Sequence, residues 1–163
     1  MIEISDLKFQ YEAAEFQLRV PKLSINQGER VAIIGPSGVG KTTLLMLLSG
    51  VLTPDAGTIR VGTETISTLR DKDRRRFRVS NVGLVFQEFE LLEYLNVEEN
   101  ILLPFLINHS LKLTATAKAH AVELAQSLGL GSKLRQTPNK LSHGERQRVA
   151  ICRAIVTKPS LVL

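Results

Sequence analysis

Gly35-Pro36-Ser37-Gly38-Val39-Gly40-Lys41-Thr42 carries three glycines, a lysine and a hydroxyl in the order G-x-x-x-x-G-K-[ST]. Chemistry on a phosphate chain requires these residue types in this order. Successive backbone N–H groups have to turn inward toward anionic oxygens, which calls for backbone angles and close approach that glycine tolerates best. A helix beginning near Lys41 adds unpaired N–H groups and a positive dipole end. Lys41 supplies a mobile point charge for the outer phosphates. The Thr42 hydroxyl, with Thr43 beside it, offers oxygen to a hard divalent cation such as Mg2+. The alternative is a plain glycine-rich turn between a strand and a helix. The loop does not itself select a base.

A second segment, Leu141-Ser142-His143-Gly144-Glu145-Arg146-Gln147-Arg148, opens the last helical stretch. By itself, Ser142-x-x-Glu145 reads as a capping box, the serine bonding forward and the glutamate back. That explanation asks for no ligand.

The elements around these segments read as follows. Met1–Phe9 alternates apolar and polar residues as a half-buried strand does, and Phe16–Val20 alternates too, with Pro21 ending it. Gln27-Gly28-Glu29 and Pro54–Gly57 are turns, and Thr58–Val61 is a short strand. Val31–Ile34 is a continuous apolar run, which predicts a strand buried on both faces of a parallel sheet. The loop follows it directly, then the leucine-rich Lys41–Leu48 closed by Gly50, so the phosphate-binding candidate lies between strand and helix. Asp71–Arg78 is a charged helix and Val82–Phe86 a second buried strand ending at Gln87. Helices are expected over Val97–Ile107, over Thr114–Leu128 with Gly129 as its stop, and from Gly144 to Val156. Leu161–Leu163 is again of β type.

The 163 residues are 44% apolar, enough for a core and against intrinsic disorder. No apolar run approaches the ~20 residues of a membrane-spanning helix, and the N-terminus lacks a secretory pattern. A single cysteine, Cys152, fits a reducing compartment. These features predict a soluble cytosolic chain that reaches a membrane only through a partner. The net charge of +5 gathers at Arg70–Arg78 and Arg146–Arg153. Acidic residues alternate with it and no stacking aromatics are interleaved, so solvated helix faces are expected and nucleic acid is not.

Taken together with the glycine-rich loop, LSHGERQRVAICRA resembles the signature of the ABC-type ATPases, usually written LSGGQ, and its arginine-rich helix. VGLVFQEFELLEYLNVEENILLP is similar to the lipoprotein-releasing and macrolide-exporter type. The resemblance runs the length of the chain and implies an α/β fold. That fold has a P-loop core, an antiparallel β subdomain at its N-terminal side, and a helical subdomain inserted after Gln87. The corresponding divisions are 1–87, 88–157 with the signature, and 158–163 as the start of a core strand. It implies ATP as ligand and Mg2+ as its metal. Tyr11 lies where the family stacks an aromatic on adenine; the other reading is an ordinary edge-strand aromatic. Gln87 matches the glutamine that touches the Mg2+ and attacking-water region, and Pro138 the proline before the signature. Ser142, His143, Gly144 and Glu145 are the signature positions, His143 replacing a glycine and Glu145 a glutamine. Phe89, Leu91 and Leu92 lie either near a groove for a membrane subunit or in the helical core.

The resemblance also implies an ATP sandwich, in a homodimer or pseudo-dimer, with Ser142 and Gly144 of one subunit facing the loop of the other. A membrane-spanning transporter subunit is the expected partner, which places the chain at the inner face of the cell membrane. The family's aspartate, glutamate and switch histidine lie beyond Leu163. Residues 1–163 alone are therefore expected to bind ATP and hydrolyse it near background. The alternatives are a soluble ABC-type ATPase of DNA repair or translation, and a nucleotide-binding fragment without turnover.

Overall fold

Along the first strand the apolar residues change parity once: Ile2 and Ile4, then Leu7 and Phe9. A regular strand would send one of these pairs to solvent. In the computed structural model, which describes residues 1–12, 16–108 and 111–163, all four are buried on β1 (Ile2–Gln10). The extra residue is taken up at Asp6, whose φ of 50° is left-handed, a conformation aspartate tolerates better than most residues. The register against β3 (Ala56–Val61) shifts there, between Ser5 and Lys8.

Gly57 faces this bulge with a φ of 85°, and a Cβ on it would lie 2.4 Å from the Asp6 carbonyl oxygen. Gly57→Ala therefore meets a backbone clash and an unfavourable φ together. It is expected to cost about 2 kcal/mol or more of unfolding free energy, measured as a lower urea midpoint.

Pro21 does not end its strand. β2 runs through it, Gln17–Ile25, antiparallel to β1. In the sheet order β2-β1-β3-β4, with β4 at Glu64–Thr65, β2 is an edge. An edge strand tolerates a residue lacking N–H, and the ladder skips the position where Pro21 opposes Asp6. β2 changes parity with its partner: Leu18 and Val20 are half-buried before the proline, Leu23 and Ile25 after it. Helix α1 (Lys41–Leu48) packs on β3 and buries Leu44, Leu47 and Leu48.

Val31–Ile34 also departs from expectation. Among the described residues it pairs with no strand and is exposed, Ile34 at 91%. A parallel strand buried on both faces needs neighbours to take its N–H and C=O groups and cover its side chains. Among the described residues no strand pairs with this run.

α2 (Asp71–Asn81) carries the first arginine run. Arg74 and Arg75 pair with Asp71, and Arg70 with Asp73, so these charges are matched along the helix. The chain divides into two compact units, Met1–Arg78 and Val79–Leu163. In the second, β5 (Val82–Gly83) pairs in parallel with β6 (Leu161–Val162). Val85 N–H continues the ladder to the Leu163 carbonyl at 3.0 Å, although the strand proper is shorter than the expected Val82–Phe86. α3 (Val97–Ile107), α4 (Ala115–Ser127) and α5 (His143–Ile155) enclose a core that includes Val97, Ile101, Ala121, Ala125, Val149 and Cys152. Burial raises the Cys152 thiol to about 11, so it behaves as a small core residue. Among the described residues no helix is long and apolar enough to cross a membrane.

Candidate functional site

The glycine-rich loop ends where α1 begins. Gly40 occupies the N-cap with a left-handed φ of 100°, and no side chain caps the helix. A helix start without a side-chain cap keeps its N–H groups for an outside acceptor. Gly38 is likewise left-handed, with φ 82°, and its Cβ position is open. Gly40 is closed from behind: a Cβ there would approach the Phe16 ring to 2.7 Å.

Lys41 sets its ammonium across the loop, donating to the carbonyls of Gly35 at 2.8 Å and Pro36 at 2.7 Å. Its charge thus stands at the loop's edge, held by two neutral carbonyl acceptors. Ser37, Val39 and Thr42 are exposed, whereas Thr43 is buried. The Thr43 hydroxyl lies 3.3 Å from the Tyr11 hydroxyl. Tyr11 remains 41% exposed, its ring edge-on to Phe9 at 4.8 Å and tilted toward Phe16 at 6.2 Å. An aromatic surface therefore stands close to the loop within the first unit. Left-handed glycines, an uncapped helix start and an ammonium fit a polyphosphate. Thr42, exposed in the first turn of α1, provides the hard oxygen a Mg2+ ion prefers.

Within Val79–Leu163, Gln87 is exposed at the head of a turn that runs to Glu90. It lines an open cavity of about 400 Å3 with Glu88, Phe89, Leu91, Pro138 and His143. The turn at Gln87 and the start of α5, 56 positions apart by residue number (143 − 87), thus share one cavity. Phe89 lines it and meets the His143 ring edge-on at 4.9 Å, while Leu91 also packs on the helical core.

Ser142 and Glu145 form the capping box. The Ser142 hydroxyl accepts from Glu145 N–H at 3.2 Å, and the Glu145 carboxylate accepts from Ser142 N–H at 2.7 Å. The Arg148 guanidinium reaches back to within 3.5 Å of the Cβ position on Gly144. Positive charge and helix dipole therefore coincide at the start of α5.

The Ser142 bonds hold the Glu145 carboxyl below its ordinary value, with small help from Lys133 and Arg148. A lowered folded value means the bond stabilises above the unfolded carboxyl pKa of about 4.3 and is lost as pH falls through the folded one. The stability gap between wild type and Glu145→Ala is expected to be open at pH 7 and to narrow as pH falls below the ordinary carboxyl range, in urea titrations. Ser142→Ala should cost about 1 kcal/mol at neutral pH by loss of the cap.

Two residues lie inside the segments that carry the resemblance, yet their roles were not assigned from sequence. Asn100 is fully buried in α3 and ties the loop at Leu92–Asn96 to that helix. Arg153, only 9% exposed, reaches the carbonyls of Phe89 and Glu90. The available signal was a polar residue on an otherwise apolar helix face.

The family model described as ABC transporter matches residues 18–163. The chain belongs to the ABC transporter family. Among ABC relatives, the lipoprotein-releasing system ATP-binding protein LolD of Xanthomonas oryzae pv. oryzae is 44% identical over 155 residues, 92% of this chain. The chain spans 63% of that relative's length. LolD 1 of Rhodopirellula baltica is 39% identical over 166 residues, covering all of this chain and 72% of its own length. Among solved structures, the dimeric ATP-binding cassette MJ0796, bound to ADP and Pi in a post-hydrolysis state, superposes with a TM-score of 0.87 at 29% identity. It covers 99% of this chain and 72% of its own.

Proposed function

We propose that the chain is the nucleotide-binding part of an ABC transporter ATPase and that Gly35–Thr43 binds the phosphates of ATP. The observation that carries this reading is the loop itself: left-handed Gly38 and Gly40 lead into an uncapped helix, with the Lys41 ammonium at the edge. Backbone N–H groups hold the phosphates, and Lys41 neutralises charge on the outer ones. Thr42 would hold Mg2+, which supplies charge neutralisation on the phosphate oxygens. Tyr11 provides a face for adenine. Ser142, His143, Gly144 and Glu145 present a helix start to the nucleotide of a second subunit.

The matched relatives are named for lipoprotein release, which supports a membrane partner and the cytoplasmic face of a membrane as the place of work. Phe89, Leu91 and Leu92 are the proposed contact with that partner. The divisions 1–87, 88–157 and 158–163 are the corresponding functional segments. The test is thermal denaturation with ATP or ADP and Mg2+. A rise in melting temperature supports the reading, and a folded chain that no nucleotide stabilises overturns it.

A further inference from the structure

The turn after Gln87 passes through two consecutive non-glycine residues in the left-handed region, Phe89 at φ 62° and Glu90 at φ 46°. Such backbone persists only where its surroundings hold it. Here the hold comes from α5. The Arg153 guanidinium donates one Nη to the Glu90 carbonyl and the other to the Phe89 carbonyl. With 9% of the residue exposed, these carbonyls replace water around a buried charge. Burial pulls the guanidinium below its usual value, and the Glu90 carboxylate opposes that shift. Near the start of the same helix, His143 sets its ring against the Phe89 ring. Phe89 is therefore gripped at its backbone and at its side chain by one helix.

From this geometry we infer that Arg153 is a positioning residue for Gln87. Its planar fork locks the Phe89–Glu90 turn to α5, so the glutamine loop and the signature at Ser142–Glu145 move as one piece. The inference deepens the proposed function and rests on the role given there to the signature and on the one that the resemblance implies for Gln87. The fork explains why the position is arginine. Two neighbouring carbonyls match a planar pair of N–H donors, whereas a lysine ammonium is a single point charge on a flexible stem. It also explains how the strained turn persists without glycine.

The test is hydrogen exchange of the purified chain, resolved over 86–92 and 142–146, with α3 and α4 as internal reference. Wild type, Arg153→Lys, Arg153→Met and the double variant Arg153→Met with Glu90→Gly are compared. Arg153→Met is expected to speed exchange over 86–92 by about tenfold while α3 and α4 keep their protection. Arg153→Lys should fall between the two. Glu90→Gly should restore part of the loss, because glycine adopts the left-handed angle without strain. In wild type, Mg2+ and ATP should slow both segments together; in Arg153→Met they should no longer respond together. Unchanged exchange over 86–92, equal acceleration throughout Val79–Leu163, no rescue by Glu90→Gly, or a joint response surviving in Arg153→Met each overturns the inference. Absence of any ATP effect on wild-type melting would instead overturn the nucleotide reading. In that case exchange over 86–92 without nucleotide still decides whether Arg153 holds the turn.

Discussion

Lys41→Ala is expected to remove most of the stabilisation that ATP confers. At about a hundred times its dissociation constant a ligand adds about 2.7 kcal/mol to the unfolding free energy, and a chain of this size converts that to a rise of roughly 5–10 °C. The ammonium is the one mobile cation on the loop, held 2.8 Å and 2.7 Å from the Gly35 and Pro36 carbonyls. It can swing from those neutral acceptors to a phosphate oxygen, a much stronger charge-assisted partner. Alanine keeps the helix start and its N–H groups, so a small residual shift should survive. Lys41 is not part of the buried core, so stability without nucleotide should change by no more than about 0.5 kcal/mol. A Lys41→Ala chain that ATP stabilises as much as wild type would show that the phosphates bind elsewhere.

Asn100→Ala should produce the largest loss of stability among single substitutions in the helical unit, at least about 3 kcal/mol. The side chain is wholly buried. Its Oδ1 accepts from Leu92 N–H at 2.8 Å, and its Nδ2 donates to the carbonyls of Leu92, Leu95 and Asn96, each at 3.0 Å. Two hydrogens serve three acceptors, so one bond is shared. Truncation takes these partners from the Leu92 N–H and the Leu95 carbonyl, while the Leu92 and Asn96 carbonyls keep the Leu95 and Asn100 N–H donors; each group left unsatisfied costs about 1–3 kcal/mol. Asn100→Asp should be at least as damaging, since it keeps the acceptor but turns an anion toward three carbonyl oxygens. Equilibrium urea unfolding measures both. A midpoint within error of wild type for Asn100→Ala would mean that water or a backbone shift satisfies the loop equally well.

The capped helices were legible because their determinants are local. The apolar run after Asn96 and the Thr114 start read as helices, and the structure gives both a side-chain cap there. Lys41–Leu48 matches α1 at both ends for the same reason. The Ser142–Glu145 spacing gave the capping box directly, and both of its bonds form. Family membership was equally local, carried by two short motifs whose spacing survives any error in the strands between them. Pro21 was misread because the effect of a proline on a strand depends on whether that strand is an edge. Edge position follows from sheet order, which residues 17–25 alone do not encode.

By itself, then, the sequence determined the glycine loop, its helix, the caps and the family. These depend on backbone preferences and hydrogen bonds spanning a few residues. Tertiary structure decided which apolar segments found partners: Val82–Gly83 gained β6 from 79 residues away by number (161 − 82), while Val31–Ile34 pairs with no strand among the described residues. It also decided that Gln87 and His143 share a cavity and that Arg153 grips the Phe89–Glu90 turn. Burial of a guanidinium on two carbonyls 63 and 64 residues upstream is a property of packing. No local pattern states it, because the energy that keeps the charge buried comes from groups that only the folded chain brings together.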